Sequence, residues 1–383
     1  MVLTSATGGG HDARASAFAA WCRKLYRDGV VLRIVRPLES STRITRFGVG
    51  LYNVIQKWAP LLHHPYWWFV EGLGYLQRNR VKLGKQYYES LLREFAPHLI
   101  LSVHDFLNRG YFQTAKSILG HRVRCSTYCG EFSGGFGYSR NWVEPTVDLF
   151  FSRTSMAQDY AVQMGISPQK CRVRGHLMHP KVYDQILDDG ARRNLLVDHL
   201  GLSPGKFTLL LAASGMGANN HLRILQILKR YASRVQAIAV CGRDGNTEEK
   251  ILQWKERNPG FRVHVEGYSQ RMHHLIQVSD AVVGRGATTC AEALFFKVPV
   301  IFNGIGGLMP QERLTCNYFC RAGAAVRMSS LEDLDGHLGL WLTHESAYAR
   351  LRERCREIAV VEDPTLLIRE LHGLAIEAIE EGP

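Results

Sequence analysis

Three glycine-rich turns carry the residue types that could do chemistry. In the segment VVGRGATTCAEAL, an apolar run is followed by two glycines around Arg285. Thr288 and Thr289 stand where a helix should begin, and Glu292 lies one turn further on. Hydroxyls and free N–H groups at a helix start suit a diphosphate, and a carboxylate suits the two hydroxyls of a ribose. The pattern predicts a ligand site at Gly286, Thr288, Thr289 and Glu292; a capped helix with a surface acid is the alternative interpretation.

The second turn, TGGGHDARASA, lies near the start of the chain. Gly8, Gly9 and Gly10 permit positive φ angles and a close approach of a ligand to the backbone. His11 follows at the mouth of an alanine-rich helix, where an imidazole can act as a general base near neutral pH. A tight turn with a solvent-exposed histidine is the competing interpretation.

The third turn is LLLAASGMGANNHL, in which Gly215, Met216 and Gly217 end an apolar run. The third glycine of a dinucleotide fingerprint is missing, so the pattern suits a close approach to one phosphate or a plain strand-to-helix turn. Further along, MPQERL places Gln311 beside Glu312. An amide next to a carboxylate is suited to binding the hydroxyls of a sugar.

The elements that must position these turns alternate along the chain. Apolar runs predict strands at 1–5, 29–35, 98–104, 122–129, 149–153, 207–214, 235–241, 262–267, 281–285 and 298–303. Helical periodicity lies between them, at 13–27, 77–94, 154–165, 219–234, 247–257, 269–277 and 289–296, and three helical segments follow residue 330. Such alternation predicts parallel sheets covered on both faces, with ligands at the carboxyl ends of the strands.

The alternating pattern restarts after RVRGHLMHPKV (172–182), which combines a strand, a glycine and a proline and looks like a joint. We therefore expect an α/β protein with two doubly wound, Rossmann-like domains facing a cleft. The predicted domains are 1–182 and 183–365, with a final helix at 366–383 that packs back on the first domain.

Composition limits the class of partner. The 383 residues carry a formal net charge of +12, which favours a polyanionic partner such as a phosphorylated substrate, an anionic membrane or a nucleic acid. No apolar run reaches the ~20 residues that a membrane span requires, and a signal peptide is not expected. Nine scattered cysteines without zinc spacing predict reduced thiols and no metal site.

One segment explains how such a chain could reach a membrane. From 43 to 85 there are seven basic residues against one acid, and between them lies WAPLLHHPYWWFVEGLGYL. Basic residues flanking tryptophans favour an interfacial membrane contact, with Lys57, Trp58, Trp67 and Trp68 as candidates. Core packing and stacking on single-stranded nucleic acid are the alternatives, and nucleic acid is the one we expect least.

Together these segments resemble the GT-B glycosyltransferases of family 28, and within them the monogalactosyldiacylglycerol synthases. The similarity runs in order through TGGGH with RASA, LYNVIQKWAPLL, SVHDF, RVRGHLMHP, SGMG, VCGR, GATTCAEAL and PQE, over about residues 1–330. It implies a GT-B fold and an inverting, metal-independent transfer of a hexose, galactose or glucose, from a UDP-sugar to diacylglycerol. It also implies a peripheral, monotopic enzyme at the cytoplasmic face of a membrane, with no cofactor.

The resemblance also assigns roles to individual residues. The donor would be bound by Gly215, Met216, Gly217, Arg243, Gly286, Thr288, Thr289, Glu292, Gln311 and Glu312, with Glu292 on the ribose and Gln311 and Glu312 on the hexose. The acceptor and membrane side would use Gly8, Gly9, Gly10, Tyr52, Lys57, Trp58, Trp67 and Trp68. His11 would be the base.

Three departures from the family pattern leave alternatives open: Ala6, Thr315 and two extra residues before Gln311. Ala6 stands where the family commonly has an acid before its glycines, so Asp12, Asp105 or Glu131 could serve as the base instead of His11. Thr315 stands where an asparagine is usual, which leaves the donor sugar open. The alternative functions are a UDP-sugar 2-epimerase or hydrolase, a lipid-linked glycosyltransferase of the peptidoglycan type, and a non-catalytic binding protein.

Overall fold

The computed structural model describes residues 1–58, 62–77, 79–213, 220–359 and 363–381, with the side chains of 56–58 left out. The chain divides into two compact units. The first comprises Met1–Pro180, Met309–Leu314 and Val361–Pro383, and the second comprises Lys181–Leu308 and Thr315–Val360. Within the described residues, no helix has both the length and the apolarity needed to cross a bilayer.

The first unit contains a six-stranded parallel sheet in the order β2-β1-β3-β4-β5-β6. Its strands are β1 (Val2–Leu3), β2 (Ile34–Val35), β3 (Leu99–Ser102), β4 (Arg124–Tyr128), β5 (Leu149–Ser152) and β6 (Cys171–Val173). Its helices are α1 (Gly10–Tyr26), α2 (Pro37–Ser41), α3 (Arg43–Trp58), α4 (His63–Leu76), α5 (Lys85–Phe95), α6 (Tyr111–Leu119) and α7 (Ser155–Gln163). The winding direction reverses between β1 and β3, which is where such sheets bind ligands.

The second unit contains another six-stranded parallel sheet, in the order β12-β11-β10-β7-β8-β9. Its strands are β7 (Phe207–Leu211), β8 (Val235–Val240), β9 (Val263–Glu266), β10 (Ala281–Gly284), β11 (Val300–Asn303) and β12 (Ala325–Met328). The helices are α8 (Pro180–Asp184), α9 (Asp189–Asn194), α10 (His221–Leu228), α11 (Gly245–Glu256), α12 (Met272–Gln277), α13 (Ala287–Phe295), α15 (Leu331–Thr343) and α16 (Glu345–Ile358). Helix α14 (Pro310–Arg321) begins in the first unit and belongs to the second from Thr315 onward. Here the reversal falls between β7 and β10.

The last helix, α17 (Pro364–Glu380), groups with the first unit and packs on α1, β3 and β4. Its His372 ring stacks on Tyr26 at 4.1 Å between centroids, and its Glu370 pairs with Arg174. Each unit has its own apolar core around its sheet, in which the central strands are buried along nearly their whole length, as strands covered on both faces must be.

The predicted α/β class with parallel strands is confirmed, whereas the start of one predicted helix is wrong. The segment 172–182 contains the expected strand: Cys171–Val173 adds an edge strand to β5, and α8 starts at Pro180. The helix predicted at 77–94 begins only at Lys85, because Gly84 takes a left-handed conformation (φ 78°) just before it.

Candidate active site

The reversal between β1 and β3 brings His11 and His104 together. His11 is in the first turn of α1, which follows β1, and His104 comes two residues after the end of β3. Gly8 and Gly9 make the intervening turn with positive φ angles of 65° and 83°, which a side chain would oppose. The two imidazole rings lie 4.1 Å apart between centroids.

His11 is held by one of its two ring nitrogens. Nδ1 lies 2.8 Å from the carbonyl oxygen of Val103, and the Arg14 guanidinium approaches both atoms, at 2.7 Å and 3.2 Å. Nδ1 donates to Val103 when it carries the proton, and it accepts from Arg14 when it does not. In the tautomer with the proton on Nδ1, the Nε2 lone pair is available, since no described residue bonds to it. Burial lowers the pKa of His11 well below its ordinary 6.5, and the charges of His104 and Arg14 lower it further. The imidazole is therefore neutral at pH 7, the form a general base requires.

His104 is buried and connects the turn after β1 to Asp105. Its Nε2 lies 3.0 Å from Thr7 Oγ1, and its Nδ1 lies 3.1 Å from the Phe106 N–H group and 3.0 Å from Asp105 Oδ1. In the neutral ring Nδ1 accepts from Phe106; in the protonated ring it donates to Asp105. Burial alone would raise the pKa of Asp105, but the charge and hydrogen bond of His104 outweigh it and lower that pKa.

The other candidate bases are engaged elsewhere. Asp12 accepts from Thr4 Oγ1 at 3.1 Å and pairs with Arg36 at 3.1 Å. Burial raises the pKa of Glu131 to about 7, although the charge of Arg14 opposes the rise, and its carboxylate accepts from the Trp142 indole at 3.4 Å. Asp105 lies within the histidine cluster itself.

The same cluster has the donor atoms of a metal site. One ligand atom each from His11, His104 and Asp105 lies within 4.8 Å of the others. The Arg14 guanidinium, 2.7 Å from His11 Nδ1, adds a positive charge that opposes a bound cation.

Two side chains that the sequence analysis missed hold the glycine turn. Glu39, on α2, accepts from the Ser5 hydroxyl at 2.8 Å and from the Ala6 N–H group at 2.6 Å. Asn53, on α3, accepts from the Gly8 N–H group at 3.1 Å and donates to the Ala6 carbonyl at 3.4 Å. The Glu39 carboxylate therefore lies against Ala6, the position at which the family pattern has an acid.

Helices α3 and α4 expose apolar side chains at helical spacing. On α3 these are Ile44, Phe47, Leu51 and Val54, and on α4 they are Trp68, Phe69, Tyr75 and Leu76. Trp67 is half-buried against Trp68 and Phe136, at 4.9 Å and 5.5 Å between ring centroids. The side chains of Lys57 and Trp58 lie outside the described part of the chain.

In the second unit, the reversal between β7 and β10 lies beside the turn that the sequence analysis singled out. A Cβ on Gly284, at the end of β10, would lie 3.7 Å from Ala212 Cβ in the turn after β7. Gly286 is the N-cap of α13, and no side chain at this position caps the helix. The neighbouring Arg285 donates to the Ile305 and Gly307 carbonyls at 3.3 Å, which ties this turn to the one after β11.

Glu292 and Thr288 are two polar side chains of α13 for which the described part of the chain provides no hydrogen-bond partner. Thr288 Oγ1 is buried and has no partner among the described residues. The Glu292 carboxylate accepts no hydrogen bond from a described residue, and burial raises its pKa to about 7 although Lys181 partly offsets this. Thr289 lies beside Thr288 in the first turn of the helix, half-buried.

The remaining predicted donor residues are placed as follows. Gly215, Met216 and Gly217 lie outside the described residues. Arg243, after β8, lies over the ring of Tyr268, after β9, at 4.9 Å. Gln311 and Glu312 open α14 and group with the first unit, where Glu312 accepts from the Met309 N–H group at 3.0 Å and Gln311 donates to the Tyr52 hydroxyl at 3.0 Å.

Two parallel doubly wound sheets with these turns at their carboxyl edges define the GT-B class of fold, and solved structures agree. The S. aureus MnaA–UDP structure matches with a TM-score of 0.62 at 13% identity, covering 100% of this chain and 98% of that one. WaaG, a glycosyltransferase involved in lipopolysaccharide biosynthesis, matches with a TM-score of 0.52 at 13% identity, over the whole of both chains. The predicted fold is confirmed.

The family resemblance is confirmed as well. Residues 219–303 match the family model of the glycosyltransferase family 28 C-terminal domain. A processive diacylglycerol beta-glucosyltransferase of Bacillus subtilis is 20% identical, over 97% of this chain and 94% of its own length. A probable monogalactosyldiacylglycerol synthase 3 of Oryza sativa is 23% identical, over 98% of this chain and 74% of its own. These comparisons support a glycosyltransferase.

Proposed function

We propose that this protein is an inverting glycosyltransferase that moves a hexose, galactose or glucose, from a UDP-sugar to diacylglycerol at a membrane surface. The observation that carries the proposal is His11: a neutral imidazole with one nitrogen fixed and the other unbonded, at the reversal point of the first sheet. A base of this kind is what the hydroxyl of a neutral alcohol needs in order to attack a sugar.

On the acceptor side, His11 Nε2 removes the proton from the attacking hydroxyl as the new glycosidic bond forms. The bond from Nδ1–H to Val103 fixes the ring tautomer during this step. The resulting imidazolium lies near the Asp105 carboxylate, whose charge raises the pKa of His11 and so stabilises the protonated form. General base catalysis of this type contributes about 10²–10⁴-fold in rate.

On the donor side, the N-terminus of α13 binds the diphosphate. The positive end of the α13 dipole, with the hydroxyls of Thr288 and Thr289, stabilises the negative charge that grows on UDP as it leaves. Glu292, one turn along, accepts from the two ribose hydroxyls. The mechanism requires no metal and no cofactor, because backbone dipoles stabilise the leaving group.

The exposed apolar side chains of α3 and α4 support docking of the protein on a bilayer. Exposed Arg43 and Arg46 lie among them, and exposed Lys82 and Lys85 follow. Apolar side chains flanked by cations are typical of interfacial helices, and each cation near an anionic leaflet adds about 1 kcal/mol. We therefore propose a peripheral enzyme at the cytoplasmic face of a membrane, with no nucleic-acid partner.

The relatives favour a lipid acceptor over the alternatives. A diacylglycerol glucosyltransferase and a monogalactosyldiacylglycerol synthase match over nearly the whole chain. The likeness to UDP-N-acetylglucosamine 2-epimerase structures, at 12% identity, extends to the fold alone. An epimerase or hydrolase would also leave the exposed apolar side chains of α3 and α4 without a purpose.

The experiment that tests the proposal is product analysis in mixed micelles. The protein is incubated with dioleoylglycerol and either UDP-glucose or UDP-galactose, and the lipid fraction is analysed by mass spectrometry and proton NMR. We expect a monohexosyl lipid with the β configuration from an α-linked donor. A chain that binds UDP but glycosylates no lipid, or that gives the α anomer, contradicts the proposal.

A further inference from the structure

We propose that His63, Tyr52 and Gln311 form a subsite that binds the uncharged hydroxyls of a polyol, either the hexose of the donor or the glycerol of the acceptor. The inference rests on the proposed function and adds to it a residue, His63, to which the sequence analysis assigned no role. The three side chains all belong to the first unit.

The subsite is assembled from three separate parts of the chain. Tyr52 comes from the third turn of α3, His63 from the first turn of α4 and Gln311 from the start of α14. The rings of Tyr52 and His63 meet edge to face at 4.7 Å between centroids, and the Gln311 side-chain amide donates to the Tyr52 hydroxyl at 3.0 Å. Tyr66 closes the group, 5.5 Å from His63 and 6.1 Å from Tyr52.

Several polar atoms in this group have no partner among the described residues. His63 is 2% exposed, yet neither of its ring nitrogens makes a hydrogen bond to any residue that the structure describes. The side-chain oxygen of Gln311 is also buried and unpaired. Buried polar groups are nearly always satisfied in folded proteins, so three unpaired atoms in one group indicate a place where a ligand completes the bonding.

The chemistry of these atoms selects the ligand class. Burial lowers the pKa of His63 to about 4, and the neighbouring His64 adds to this, so the ring is neutral at pH 7. A neutral imidazole offers one donor and one acceptor, the Gln311 oxygen accepts, and the Tyr52 hydroxyl can donate. A phosphate or carboxylate would need a cation, and this group has none. Two neighbouring hydroxyls of a polyol match this group, because each hydroxyl can both donate and accept a hydrogen bond.

The position of the group fits either source of the polyol. Asn53, the neighbour of Tyr52 on α3, accepts from the Gly8 N–H group at 3.1 Å, which places the group close to the turn that precedes His11. The same two helices, α3 and α4, expose the apolar side chains described above. A lipid held on these helices would bring its glycerol here, and a hexose approaching His11 would also pass within reach.

The test uses His63→Phe and Tyr52→Phe, with Tyr66→Phe as the matched control. The Tyr66 hydroxyl already donates to the Gly48 carbonyl at 3.0 Å, so its loss should weaken the pairing of α3 with α4 without removing a ligand contact. Calorimetry gives the affinities for UDP and for UDP-glucose, and micelle kinetics give the KM for dioleoylglycerol. Thermal unfolding checks that each variant folds.

Two results would support the subsite and identify its occupant. If it holds the hexose, His63→Phe and Tyr52→Phe weaken UDP-glucose binding about tenfold or more and leave UDP binding unchanged. If it holds the glycerol, the KM for dioleoylglycerol rises about tenfold while both nucleotide affinities stay the same. Unchanged constants in both variants, with an active wild-type enzyme, would overturn the inference.

An NMR titration of the wild-type chain separates this inference from the proposed function. The imidazole signals of His63, assigned by their absence in His63→Phe, are followed as methyl β-glucoside or glycerol is added. A shift of these signals supports the subsite even in a chain that transfers nothing. If neither polyol moves them at millimolar concentration and His63→Phe has no kinetic effect, the subsite is refuted while the proposed function stands.

Discussion

Replacing Glu292 by glutamine should stabilise the unliganded protein and weaken its binding of UDP. Burial raises the pKa of Glu292 from 4.5 to about 7, because the carboxylate has lost water and gained no hydrogen bond. At about 1.4 kcal/mol for each pH unit, ionisation at high pH costs about 3 kcal/mol. Solvent screening of a partly exposed group reduces this to about 1–3 kcal/mol.

The sign of the pH dependence follows from the direction of the shift. Since the folded pKa is raised, the folded protein holds a proton between pH 4.5 and 7 that the unfolded chain releases. The contribution of the protonated Glu292 to the stability of the folded protein is complete below pH 4.5 and is lost as the pH rises through 7. Glutamine has no proton to lose, so the stability of Glu292→Gln relative to wild type should improve by about 1–2 kcal/mol between pH 5 and pH 8.

The effect on the ligand should be opposite. Hydrogen bonds to a charged acceptor contribute about 1.5–3 kcal/mol each, and glutamine keeps an oxygen but not the charge. We expect UDP to bind about 10–100-fold more weakly at pH 8. Thermal unfolding at both pH values and calorimetric titration with UDP measure the two effects. Glu256→Gln, an exposed acid on α11, is the control and should change neither. A Glu292→Gln variant that is less stable at pH 8 and binds UDP as the wild type does would refute the reasoning.

Two further predictions concern the first unit. A Cβ on Gly74 would lie 1.8 Å from Asn141 Oδ1, so Gly74→Ala should displace α4 and lower the free energy of unfolding by about 1–3 kcal/mol. A Cβ on Gly72 would meet nothing within 4 Å, so Gly72→Ala should leave that free energy unchanged or raise it by up to about 1 kcal/mol. Equal melting temperatures for the two variants would contradict this. Because the pKa of His11 is lowered and the base must be neutral, kcat/KM should stay level as the pH falls to 6.5 and decline only below it; an acid limb at or above pH 6.5 would exclude His11 as the base.

The parts of the site that the sequence predicted are local ones. Each of these features is visible within a stretch of about ten residues. They are the glycines after an apolar run, the histidine at a helix start and the carboxylate one turn along a helix. His11 and Glu292 could therefore be proposed from spacing alone. The strand-and-helix alternation was equally readable, because strands buried on both faces are continuous apolar runs.

The parts that the sequence did not predict depend on contacts between distant segments. His104 meets the turn at Thr7 across 97 positions, and Glu39 reaches Ala6 across 33. His63 carries no motif, and its significance lies in the absence of hydrogen bonds, which only coordinates reveal. The sequence showed the region of α3 and α4 only as a basic aromatic segment and not as two helices. Their exposed apolar side chains hide the usual alternation of apolar buried positions and polar solvated positions by which a helix is recognised.

The most direct test of the central claim is the release of UDP from a UDP-hexose, followed with and without dioleoylglycerol in anionic mixed micelles. The account predicts UDP release that depends on the lipid, rises with its concentration and falls at least a hundredfold in His11→Ala. Release at the same rate without any lipid, or an unchanged rate in His11→Ala, would contradict it.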